Sequence, residues 1–155
     1  MNEILLMAHV FFGVTCILAS VWVFVDALNA GANPASAGRI KIISLAAAAA
    51  MWLAFVMGGY WYVVFYAADK AVILKGPWPF AHSYFMETKE HLVVMLLLLA
   101  TYLPIAASNN LAGNPAARRL VLWVAAMIPL LGLMIEGHGA VIAMGVKVGL
   151  LAQPH

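Results

Sequence analysis

The chain has 155 residues, 66% hydrophobic and 9% charged, with a formal net charge of +2 and a mean hydropathy of +0.99. Soluble domains carry about a quarter charged residues, so this composition excludes a soluble globular enzyme and carries no nucleic-acid signal. The single cysteine, Cys16, excludes an intramolecular disulfide.

Four apolar stretches follow in order: Ile4 to Ala27, Ile40 to Ala68, about Phe85 to Ala107, and Leu120 to Val146. Each reaches the roughly 20 residues that a helix needs to cross the hydrocarbon core. The expectation is one integral membrane domain over residues 1–155, an all-α four-helix transmembrane bundle of up-down topology with short loops. The lipid bilayer is its first partner.

The first stretch carries Glu3 where a signal peptide needs a basic region, and its run is too long for an h-region, so it reads as the first transmembrane helix. His9 lies near its start, and the turn formers of "NAGANPASAG" (29–38) end it. The second stretch holds the Gly58-Gly59 pair and the aromatic run "YWYVVFY" (60–66). That run reads as an interfacial belt, and its rings also suit a quinone or porphyrin pocket. In the connection "DKAVILKGPWPFAHS" (69–83), Pro77 and Pro79 forbid continuous helix, while Trp78 and Phe80 suit the interface. Ser83 is the expected N-cap of the third helix, and His82 is expected to cap or line the loop.

In the third stretch, Glu87 and His91 are i and i+4 and share one stripe, with Glu90 beside it and Lys89 pointing well away. The Glu87–His91 edge is expected to face the bundle at the depth of His9. In the fourth, "MIEGHGAVIAMG" sets Glu136 and His138 about 200° apart inside an apolar span. They cannot reach one small ion together unless Gly137 and Gly139 unwind the helix, which leaves room for a larger cofactor.

Helices joined by short loops alternate in direction, which sorts polar residues onto the face holding the N-terminus, X, and the opposite face, Y. Face Y carries Arg39, Lys41, Arg118 and Arg119; face X carries Lys70, Lys75, Lys89 and Lys147 among several acids. The arginines in the shorter loops point to Y as cytoplasmic, which makes X the periplasmic side of a bacterial inner membrane. His9, His82, His91 and His138 all lie at or below X, with His155 the exception.

Ionisable groups inside a bilayer are functional-site candidates, and histidines on different helices suit haem b, whose iron takes imidazole nitrogens from facing helices. The candidate cofactor-binding set is His9, His91, His138, Gly58, Gly59 and Lys89, the glycines by letting a flat ligand approach the backbone. Glu136, Glu90 and Lys89 are the candidate catalytic residues, with Glu136 or Glu90 to take or give the coupled proton. The function expected is that of a membrane b-type cytochrome passing electrons, with a quinone or another redox protein as partner and a homo-oligomer as a further partner state. The alternative is a protein that binds or transports copper, iron or zinc through His9, His82, Glu87, His91 and His138, with Met7 or Met134 favouring Cu(I). A structural subunit of a respiratory complex is the third reading.

His9 in "AHVFFG", Gly58-Gly59, and Lys89 in "TKEHLVVMLLLL" together resemble the HemJ and CopD-type family of small haem- or copper-associated four-helix membrane proteins. The resemblance implies a haem-ligating His9 and a functional cation at Lys89. It does not extend to the end of the first helix, where "VFVDALNAGA" replaces the family's basic and aromatic cluster.

Overall fold

The computed structural model describes residues 2–30 and 36–153. Within them the chain forms α1 (Asn2–Asn29), α2 (Ser36–Lys75), a π-helical turn (Ala81–Met86) that leads directly into α3 (Glu87–Ala107), and α4 (Pro115–Leu151). There is no strand among the described residues. Among the described residues four helices are long and apolar enough to cross a membrane, so the protein is an all-α, multi-pass membrane bundle. Half of the turn-forming linker expected over 29–38, residues 31–35, and His155 lie outside the described residues.

The helices run past the expected boundaries, most of all at face X. Asp69 and Lys70 looked like the end of the second span, yet polar residues do not stop a helix. Gly76 and Pro77 do, and α2 continues to Lys75. At about 1.5 Å per residue, the 40 residues of α2 reach roughly 60 Å, twice the hydrocarbon thickness of about 30 Å. Its X end is packed backbone to backbone against the end of α4. A Cβ at Gly76 would lie 2.8 Å from the Gly149 Cα, which accounts for the small residues there. At face Y, α4 begins on Asn114, whose side chain accepts from the amides of Ala116 and Ala117, with Pro115 in the first turn.

The helices sit at four corners, with α1 against α2 and α4, and α3 against the same two. The larger core fills the Y half, where Val23, Ile40, Met51, Leu103, Val121 and Ile128 are buried together. A smaller cluster of Tyr66, Ile73, Ala81, Met86 and Ile142 closes the X end. Near face Y, Arg39 donates two hydrogen bonds of 2.6 Å to the buried Asp26 carboxylate and ties α1 to α2.

The third span restarts after Pro79 in a way the sequence did not suggest. Ser83 does not cap a helix; its hydroxyl donates to the Pro79 carbonyl at 3.3 Å from within the π turn. His82 is likewise no loop residue. It is buried in that turn, 6% exposed.

Candidate functional site

Between the two cores, three polar side chains converge, and each rests on a glycine of a neighbouring helix. His9 of α1 lies against α2, where its Nδ1 donates to the Ala54 carbonyl at 2.8 Å. One turn further along α2 is Gly58, where a Cβ would stand 2.5 Å from that same Nδ1. Glu136 of α4 reaches α1 at Gly13, whose Cβ would lie 2.8 Å from Oε1. Lys89 of α3 reaches α4 at Gly139, whose Cβ would lie 3.1 Å from Nζ. At these three positions the missing side chain makes room for a polar head rather than for another helix.

Two cavities open around this group. One, of about 330 Å³, is walled by His9, Phe55, Gly58, Gly59, Tyr62, Lys89 and Glu90. The other, of about 460 Å³, is walled by His9, Asp69, Lys89, Glu136, Gly139 and Ala140. His9, Lys89, Trp61, Met86 and Leu6 border both. Each volume falls in the range of about 300–1,000 Å³ typical of small-molecule sites.

The electrostatics of this cleft are incomplete. Lys89 and Glu136 attract one another across it. No carboxylate of the described residues stands within 4.0 Å of the Lys89 amine. A cation inside a span without a contact partner is costly, and the cavities put it beside space for one. His9 has a defined hydrogen position for a chemical reason. A carbonyl oxygen can only accept, so Nδ1 carries the hydrogen, and in the neutral ring Nε2 is left with its lone pair.

The remaining candidates lie elsewhere. His91 is exposed and donates from Nδ1 to the Glu87 carbonyl of its own helix at 2.7 Å. His138 does the same to Met134 at 2.7 Å and packs its ring edge-on to Phe85 at 5.0 Å. Neither lines either cavity. The angular reading of α3 holds, since Lys89 and the Glu87–His91 stripe point to different sides. The inward side was assigned wrongly: Glu87 and His91 are exposed, and Lys89 and Glu90 border the cavity. Lipid is as apolar as the core, so an aliphatic helix does not announce which side faces its neighbours.

His82 and Glu87 approach to 3.9 Å, away from His9. Among the described residues no three histidine, cysteine, aspartate or glutamate side chains gather to hold one metal ion. Gly59 borders the first cavity and has open space where its Cβ would be. Residues not singled out as sites complete the cleft: Trp61, Tyr62 and Asp69 in its walls, and Tyr66 buried behind them. The i, i+4 spacing of Tyr62 and Tyr66 within "YWYVVFY" was the available signal.

Two of the expected histidines do not meet in this cleft: among the described residues, His9 is the one histidine in either wall. No protein-family model, curated protein or solved structure shows significant similarity to this chain.

Proposed function

We propose that this chain is a membrane redox protein that binds a quinol in the cleft around His9 and Lys89, with face X on the periplasmic side of a bacterial inner membrane. One observation carries the reading: a histidine whose Nε2 keeps its lone pair and a lysine with no carboxylate within 4.0 Å among the described residues border the same two cavities inside an apolar bundle. A quinol turning into a quinone releases two protons and two electrons. His9 Nε2 is a base for one hydroxyl proton, and the Lys89 ammonium donates to the oxygen at the other end of the ring. Glu90, bordering the smaller cavity, takes the second hydroxyl proton, and Glu136, bordering the larger, takes the first onward from His9. The electrons pass to a separate redox partner protein. Phe55, Trp61 and Tyr62 supply aromatic surface for the ring, and the apolar walls exclude water from the charges.

The test is a titration of detergent-purified protein with a short-chain benzoquinol, followed by tryptophan fluorescence with Trp61→Phe as the control for a reporter in the cavity wall. His9→Ala and Lys89→Met should each weaken binding by about tenfold or more, the loss expected for a hydrogen bond to a charged or buried group. His91→Ala and His138→Ala should bind like the parent. Absence of saturable binding to the parent protein overturns the reading.

A second reading is haem b held through His9 alone. It is favoured by the Nδ1–Ala54 bond, the backbone anchor that orients a metal-ligating imidazole and leaves Nε2 for iron. Haem would supply one-electron chemistry, and Lys89 a cation for a propionate. An absorption spectrum separates the two: a Soret band in the purified protein, lost in His9→Ala and kept in His91→Ala and His138→Ala, selects haem.

A further inference from the structure

From Glu90 in the wall of the smaller cavity a set of ionisable side chains runs to an exposed carboxylate, and the quinol chemistry leaves its Tyr66, His82 and Glu87 unused. Tyr62 and Glu90 both border that cavity, close enough for their side chains to interact. Its ring stacks on that of Tyr66, one turn along α2, with centroids 5.1 Å apart and planes 21° from parallel. The buried Tyr66 hydroxyl is 3.0 Å from His82 Nδ1. The other nitrogen of that imidazole, Nε2, is 3.9 Å from Glu87 Oε1, on a side chain that is 58% exposed.

We infer that Glu90, Tyr62, Tyr66, His82 and Glu87 form a proton path between the cavity and the X side of the bundle. A tyrosine hydroxyl donates and accepts at once, and an imidazole takes a proton on one nitrogen while releasing one from the other. The path runs in single steps. Glu90 passes its proton to the Tyr62 oxygen as the Tyr62 hydrogen leaves, through one bridging water, for the Tyr66 oxygen. The Tyr66 hydrogen moves to His82 Nδ1, and His82 Nε2 gives its own to the Glu87 carboxylate, which releases it to solvent. Every group gains one proton and loses one, so no charge accumulates and no co-reactant is needed.

The backbone is arranged for this path. His82 and Glu87 are five apart, which an α-helix holds about 140° from each other. The π turn is closed instead by an i→i+5 bond, and the Glu87 amide donates to the His82 carbonyl, so the two side chains meet on one side. π turns cluster at functional sites, and this one places a buried imidazole between a buried phenol and an exposed acid. The other ionisable groups nearby do not close the path elsewhere. Asp69 lies close enough to Tyr66 to interact with it but borders the larger cavity, and Lys89, which borders both cavities, carries its amine to Gly139 of α4. His138 meets Phe85 rather than His82.

The outward direction rests on the quinol reading; the path itself is testable without any quinol. A laser-triggered pH jump on the purified protein, followed in the infrared, reports protonation of Glu90 through the carboxylic C=O band that Glu90→Gln removes. Tyr66→Phe keeps the stacked ring and deletes only the hydroxyl; His82→Ala deletes the imidazole. Both should slow the Glu90 signal by roughly 10²-fold, and free imidazole in the buffer should restore much of the rate to His82→Ala alone. Unchanged rates in both variants overturn the path, because Glu90 is then wetted directly through the cavity. Slowing in His82→Ala without imidazole rescue, or without slowing in Tyr66→Phe, makes His82 a packing residue and also overturns it. A Glu90 band absent at every pH where the protein stays folded removes Glu90 as the terminus. Failure to bind quinol beside a positive infrared result would overturn the function and leave the path standing.

Discussion

The adjacent glycines of α2 offer a controlled perturbation of the cleft, because alanine at Gly58 and at Gly59 meets opposite surroundings. At Gly58 the new Cβ would lie 2.5 Å from His9 Nδ1, 2.7 Å from Cε1 and 3.3 Å from Cγ, which is the body of a ring and not a flexible chain end. The ring cannot retreat without giving up its 2.8 Å bond to the Ala54 carbonyl. At Gly59 nothing lies within 4 Å of the added atom. Whatever the backbone gains from replacing glycine in a helix is common to both variants and cancels in their difference. The difference is therefore the overpacking cost, about 1–3 kcal/mol, or roughly 5- to 160-fold in the folding equilibrium. Reversible unfolding in mixed micelles measures it. Adding His9→Ala should abolish the penalty of Gly58→Ala, a coupling that a double-mutant cycle isolates. Equal stabilities for the two single variants, or a penalty that survives His9→Ala, would refute the placement of His9 on α2.

Other expectations follow from the same geometry. Tyr66→Phe should destabilise by about 1–3 kcal/mol in the same unfolding assay, since it leaves the buried His82 Nδ1 without its 3.0 Å partner. Ser83→Ala should stay within about 0.5 kcal/mol of the parent, as expected for an exposed hydroxyl bonded back to Pro79 and not for an N-cap. Asp26→Asn should lower the thermal midpoint and Arg39→Lys should do so too, because lysine cannot make the two-point contact with the buried carboxylate. Gly139→Leu should fill the space beside the Lys89 amine and reduce benzoquinol binding in the fluorescence titration; undiminished binding would detach Lys89 from the site.

The membrane class, the four spans and their alternation were legible from the residues, because hydropathy and length are local quantities that every span reports for itself. So was the angular relation of Glu136 to His138, which follows from residues per turn: Glu136 does meet α1, and His138 meets Phe85. His9, Lys89, Glu136, Glu90, Gly58 and Gly59 were all singled out from the sequence, and all border the cleft.

Which of the polar residues act together was settled only by packing. A soluble helix shows its core face by contrast with water, but α3 is aliphatic on every side, and the sequence therefore favoured Glu87 and His91 where the bundle turns Lys89 and Glu90 inward. The glycines were equally ambiguous. Gly149 receives backbone, Gly58 receives an imidazole, and nothing within either segment separates the two uses. The His82–Glu87 pair depends on an i→i+5 bond that helical periodicity does not anticipate. Composition and period are properties of a single helix and can be read along it. The contents of a site belong to the space between helices, and that space exists only once the four have packed.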